Sequence, residues 1–149
     1  MVNLISTLND TSKTSEEKLD AVGAITDSFY FASMSENEAI HIINELIEQI
    51  IKQPDNSIKE SILELMLDGY CSYNIEKKIN LEPIVEQIHS FNDQCLSYIL
   101  TLLGWSGKEE YRDLITSFFS NTRFKEDVEE ALIELDHRVS LAKKFLNEK

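Results

Sequence analysis

Glycine and proline are scarce in this 149-residue chain, with four of one and two of the other. That argues against a β-fold, whose many tight turns draw on both residues. No segment alternates apolar and polar residues, so no strand is expected. Cys71 and Cys95 are the only cysteines, too few for a disulfide framework and not spaced for a metal or redox motif. Positive charge is short too: 14 Lys and Arg face 27 Asp and Glu, a net −13. The deficit is −8 over residues 1–80 and −5 over 81–149, so the acidity is not a tail. Such a field repels phosphate backbones and speaks against nucleic acid as a partner. It would attract and steer a basic protein, and it also favours solubility. No apolar run approaches the ~18 residues of a membrane span. Met1–Asp10 carries no base and no long apolar run, so neither a signal peptide nor a membrane association is expected, and the cytoplasm is the expected compartment. Nucleophile elbows, phosphate-cradling glycine loops and dinucleotide fingerprints are all missing. Neither catalysis nor a cofactor is therefore expected.

What the chain has is helical periodicity. Residues 3–9 suit a short helix. Leu19, Val22, Ile25 and Phe29 share one face of a helix from near Ser15 to about Phe31. Ser35 and Glu38 form a capping box that opens a helix to Lys52, with Ala39, Ile43, Leu46, Ile47 and Ile50 inward. Pro54 to Asn56 stops it, and Ser57 with Glu60 forms a second capping box. The helix from Ile58 to about Tyr70 is apolar on two faces: Ile58, Ile62, Leu65 and Met66 on one, Leu63, Leu67 and Tyr70 on the other. The Asp93–Leu103 helix has the same character, and such helices lie between neighbours. A last helix, Lys125 to about Phe145, shows a single stripe of Val128, Leu132, Leu135, Val139 and Ala142, which suits a terminal element facing water. Between these, Asn74 to Asn80 reads as a loop, and Asn80 can cap a helix over Leu81–His89 with Pro83 in its first turn. Gly104 suits a left-handed cap before the turn to Gly107. No linker divides the chain, so one all-α domain over 1–149 is expected.

Three segments read as the second helix of a repeated unit: residues 58–70, 93–105 and 126–136. Gly69 superposes on Gly104 at a step of 35 residues, and Cys95 on Val128 at a step of 33. Each is preceded by a shorter amphipathic helix, at Ile47–Gln53, Ile84–Ser90 and Leu114–Ser120. Steps of this size mark helical solenoids. The run Ile99–Ile115, in which Leu103-Gly104 precedes a short turn and then Tyr111 and Leu114-Ile115, resembles the HEAT-like repeat family. Asp127–Leu135 is similar to that family's second helix, with Ala131, Leu132 and Leu135 at the packing positions. The likeness covers roughly residues 39–136. It departs at the first helices, which lack the usual proline, and at the long loop of the first unit. It implies an α-α solenoid of about three helix pairs plus an N-terminal helix, repeat-like over about 35–146. Size, acidity and degenerate α-α repeats together also resemble small cytoplasmic immunity proteins of bacterial contact-dependent inhibition and polymorphic toxin systems. That resemblance implies a non-catalytic module that binds and neutralises a cognate toxin domain.

Two constellations bear on function. Every histidine has a glutamate three residues before it, in the pairs Glu38/His41, Glu86/His89 and Glu134/His137. Paired Glu-x-x-His motifs hold metals inside four-helix carboxylate proteins, so a helical metalloenzyme is an alternative reading. At 100° per residue, however, His41 falls about 150° from the Ala39/Ile43/Ile47 face, and His137 lies almost opposite the last helix's stripe. Only His89 is near a boundary between faces, and a core metal site needs its ligands inward, so no metal is expected. The second constellation is aromatic and acidic. Tyr70 and Trp105 are expected to pack between repeats. Tyr73 and Tyr111 lie near turns beside Glu76, Glu109, Glu110 and Asp113, where aromatic anchors and acids suit a basic partner. Those six residues are the expected partner-binding set. Adjacent acids such as Glu109/Glu110 and Glu129/Glu130 point apart on a helix and read as surface charge. One of Phe118 and Phe119 is expected to fill the core and the other to meet the last helix. A generic helical-repeat adaptor, with several weak partners, is a third reading.

Overall fold

In the computed structural model, which describes residues 2–31 and 33–147, every regular element is a helix. Met1, Ala32, Glu148 and Lys149 lie outside the described residues, among which there is no strand. None of the described helices is long and apolar enough to cross a membrane. The chain forms two compact units, residues 1–95 and 96–149.

The first unit contains α1 (Val2–Asn9), α2 (Ser15–Tyr30), α3 (Glu36–Lys52), α4 (Asn56–Ser72) and the short α5 (Glu82–Glu86). Its helix starts are set by side chains that satisfy otherwise orphaned amides. Thr14 and Glu17 make a full capping box on α2, and the Glu38 amide donates to Ser35 Oγ at 3.1 Å to open α3. The expected box of Ser57 and Glu60 does not form. Asp55 is the cap instead, accepting the Ser57 amide at 2.8 Å and the Ser15 hydroxyl at 2.7 Å. A carboxylate two residues earlier reaches the first free amide, and it fastens the start of α4 to the start of α2. Glu60 accepts from the Asn92 side chain at 3.1 Å.

α2 packs chiefly on α4, burying Val22, Ile25 and Phe29. Leu19, expected on that face, is half-buried. α3 buries all five residues expected inward, together with Ile42 and Gln49. Both faces of α4 are covered, as its pattern predicts, except that Leu67 is half-buried. A Cβ on Gly69 would lie 2.7 Å from Ile43 Cδ1 and 3.2 Å from Phe29 Cε2, so the missing side chain makes room for both residues. The segment after α4 is less of a loop than expected. It carries a 3₁₀ turn, Glu76–Lys78, and buries Ile75 and Ile79. Asn44 pins it, donating to Lys78 O at 3.4 Å and accepting the Asn80 amide at 3.2 Å. Asn80, the expected cap, accepts the Glu82 amide at 3.1 Å, but the N-cap of α5 is Leu81, without a side-chain cap. The expected Leu81–His89 helix breaks after Glu86 into a 3₁₀ turn, Ile88–Ser90.

α6 (Asp93–Trp105) begins at the end of the first unit, with the Cys95 amide donated to Asn92 Oδ1 at 2.9 Å. The second unit continues through α7 (Arg112–Thr116) and α8 (Lys125–Asn147), connected by 3₁₀ turns at Glu109–Tyr111, Ser117–Ser120 and Thr122–Phe124. α8 packs along α7 and the turns beside it. Gly104 is not the left-handed cap. It is helical, and a Cβ there would fall 2.6 Å from the Ala131 carbonyl oxygen, so its value is that α6 can touch α8 backbone to backbone. The left-handed turn belongs to Gly107, at φ +69°. Phe118 is half-buried, edge-on to Phe124 at 5.7 Å, while Phe119 is exposed and does not fill the core.

Candidate partner-binding site

The six expected residues fall into two groups, one in each unit. Glu109, Glu110, Tyr111 and Asp113 lie in the second unit, where their placement follows from the turn after α6. Ser106 Oγ donates to Leu103 O at 2.6 Å and accepts the Lys108 amide at 3.2 Å, and Gly107 then reverses the chain. The following 3₁₀ turn and α7 are anchored by Tyr111 and Ile115, both buried and four residues apart. With those two inward, Glu109, Glu110 and Asp113 are exposed on the other side. Tyr111 therefore holds the turn from below, with Lys108 Nζ 5.9 Å from its ring centroid.

Arg112 orders this acidic edge. Its guanidinium donates to Glu109 Oε2 at 2.9 Å and to Asp136 Oδ1 of α8 at 2.6 Å. The hydrogen bond from Arg112 holds the Glu109 carboxyl below its ordinary range, with its charge and that of Lys143 adding smaller effects. Glu109 first, then Asp136, drives the Arg112 guanidinium further above its own. Nearby, Arg138 donates to Glu134 Oε1 at 2.8 Å and stands 6.0 Å from the Trp105 ring centroid. Three carboxylates are thus held by two arginines, Glu109 and Asp136 by Arg112 and Glu134 by Arg138.

Comparison with protein-family models, curated proteins and solved structures yields no match.

Tyr73 and Glu76 lie in the first unit. Tyr73 is half-buried; its hydroxyl donates to Met34 O at 2.9 Å and its ring meets Phe29 edge-on at 5.8 Å. It ties the end of α4 to the segment that leads into α3. Glu76 is 8% exposed, within the 3₁₀ turn. Its burial keeps it from acting as open surface charge.

Residues outside the expected set also stand out. Arg112, which joins Glu109 to Asp136, has the i, i+3 spacing from Glu109 as its sequence signal. Tyr30 and Phe31 are both largely exposed, edge-on to each other at 5.1 Å. Three consecutive aromatics at 29–31 cannot all face one core from a helix, and Phe29 takes the buried place. On α4, burial and then the Glu64 charge push the half-buried Asp68 carboxyl above its ordinary range.

The histidine pairs do not converge. All three histidines are exposed, and His41 Nε2 pairs with Glu45 at 2.9 Å, one turn further along α3. Among the described residues, no three His, Cys, Asp or Glu side chains gather as a metal site would require. Cys71 is exposed and Cys95 buried; burial pushes the Cys95 thiol up to about 11.

Proposed function

We propose that this chain is a non-catalytic protein-binding module, an immunity protein that neutralises a basic toxin domain in the cytoplasm. The observation that carries the reading is the exposed acidic edge of Glu109, Glu110, Asp113 and Asp136, in which Arg112 holds Glu109 and Asp136 and the buried Tyr111 anchors the turn. Carboxylates held in advance lose little freedom on binding, which favours affinity. Their charge adds to a field of net −13 that accelerates the approach of a basic partner. Support also comes from the resemblance to HEAT-like repeats, in which turns between helices present binding residues.

The test is affinity capture of the tagged chain from its native cell, read by mass spectrometry at low and high salt. One stoichiometric partner with a basic domain is expected to survive high salt. The triple reversal Glu109→Lys, Glu110→Lys, Asp113→Lys is expected to slow association with it by about tenfold or more. These side chains are exposed, so circular dichroism should register an unchanged fold. A spread of weak partners, all lost in salt, would replace this reading with that of a generic acidic adaptor. A captured partner that is indifferent to the triple reversal would move the site elsewhere.

A further inference from the structure

α8 has an outer face that its position in the second unit does not explain. Glu130, Ile133, His137, Leu141 and Lys144 fall within an arc of roughly 80° at 100° per residue. That arc is centred about 150° from the buried stripe of Val128, Ala131 and Leu135. All five are exposed, the two apolar ones at 69% for Ile133 and 43% for Leu141. Phe145, 66% exposed, flanks the face. Spacings of three and four residues set the five in one line along the helix, with Ile133 and Leu141 as its apolar members on either side of His137.

Charge is divided along the same helix. Residues 125–136 hold six acids and one base, whereas residues 137–147 hold Arg138, Lys143 and Lys144 and no acid. A helix that is acidic in its first half and basic in its second is complementary to itself when reversed.

We propose that the outer face of α8 is a self-association surface, on which a second copy of this chain lays its own α8 antiparallel. With the two-fold axis at His137, residue i of one copy faces residue 274 minus i of the other. Ile133 then meets Leu141 of the second copy, and Glu130 meets Lys144, each pair occurring twice by symmetry. The contact uses one patch on both partners and closes as a dimer. Neighbouring registers bring fewer of these pairs together. A single helix pair falls at or below the ~1,200 Å² low end of stable interfaces, so the dimer is weak and depends on concentration. Asp136 points roughly 100° away from His137 around the helix, so pairing leaves the acidic edge accessible. The inference does not rest on the toxin-binding reading.

Sedimentation equilibrium of the full chain over a wide concentration range is the first test, with mean mass expected to rise from monomer toward dimer. Glu130→Lys alone and Lys144→Glu alone should each lose the dimer, and the two together should restore it. Register is read by cross-linking in a Cys71→Ser background. Under mild oxidation, His137→Cys should give a disulfide-linked dimer, while Glu126→Cys, two turns and more from the axis, should give none. A mass that stays monomeric at every concentration overturns the proposal. So does a dimer that survives Ile133→Glu with Leu141→Glu, or equal cross-linking at positions 126 and 137. The substituted side chains are exposed, and circular dichroism of each variant verifies that the fold is intact.

Discussion

At the scale of the residue, the glycines differ more than their shared identity suggests. Nothing lies within 4 Å of a Cβ placed on Gly23, an exposed position inside α2. Gly23→Ala should therefore stabilise the chain by about 0.5–1 kcal/mol, through helix propensity and a less flexible unfolded state. At Gly104 the same methyl would meet the Ala131 carbonyl oxygen at 2.6 Å, and backbone cannot swing aside as a side chain can. Gly104→Ala should destabilise by about 1–3 kcal/mol, the usual cost of overpacking. At Gly69 the crowding atom is the end of the Ile43 side chain, 2.7 Å away, and a rotamer change relieves part of the strain. Urea midpoints of the three variants should rank Gly23→Ala above wild type, then Gly69→Ala, then Gly104→Ala. The thiols separate in the same way. Cys71 is exposed, while Cys95 is buried with its thiol pushed up to about 11, and reactivity requires an accessible thiolate. A thiol reagent at pH 8 should modify one cysteine per folded chain, with the second reacting only after denaturant is added.

At the scale of the element, α4 is governed by its cap. The Ser15 hydroxyl, followed by the Ser57 amide, holds the Asp55 carboxyl below its unfolded value of 3.8. A depressed folded pKa means that the unfolded chain takes up the proton first as pH falls. The stability that Asp55 contributes is then complete above the unfolded value and is lost as pH drops through the folded one. Asp55→Ala should cost about 1 kcal/mol at neutral pH, as is typical of losing an N-cap. Asp55→Asn should retain much of the cap and remove its acid dependence. Thermal melts of the two variants from pH 7 down to pH 3 would check both expectations. The cap also shows where periodicity misleads. Ser57 and Glu60 have the spacing of a capping box, yet Asp55 reaches the amide first and gains a second partner, Ser15, from a helix 40 residues away. No local pattern contains that partner. The apolar stripes were more legible: five of the seven buried residues of α3, all but Ile42 and Gln49, and the expected apolar residues of α4 apart from Leu67, could be named from spacing alone.

At the scale of the molecule, charge dominates. Folding brings a net −13 into a small volume, and self-repulsion of this kind weakens the folded state. Salt should relieve it, because the Debye length shrinks to about 10 Å at 0.1 M. The melting temperature should thus rise as sodium chloride is added at neutral pH. A flat or falling curve in a calorimetric scan would mean that local pairs such as Arg112 with Asp136 outweigh the general field. The same field underlies the proposed association with a basic partner, whose approach should slow in that salt series while the chain itself gains stability.

Of the expected partner-binding set, the exposure of Glu109, Glu110 and Asp113 was legible, because acids beside a turn seldom lose their water. The burial of Glu76 was not. It accompanies the burial of Ile75 and Ile79 on either side of the turn, while Lys77 and Lys78 stay exposed. Tyr73, set in a polar stretch, looked available; its hydroxyl found Met34 O, 39 residues earlier. Sequence alone determined the helical class, most of the inward residues and the acidity, since these depend on composition and on a period that each segment carries within itself. On α8, where Leu132, Val139 and Ala142 were expected inward, those three are half-buried and Ala131 is buried instead. Tertiary structure decided which side chain caps each helix, which glycine turns and which one packs, and that Arg112 draws Glu109 and Asp136 into one edge. Each of those outcomes is a choice among partners far apart in the chain, and it exists only once the helices have met.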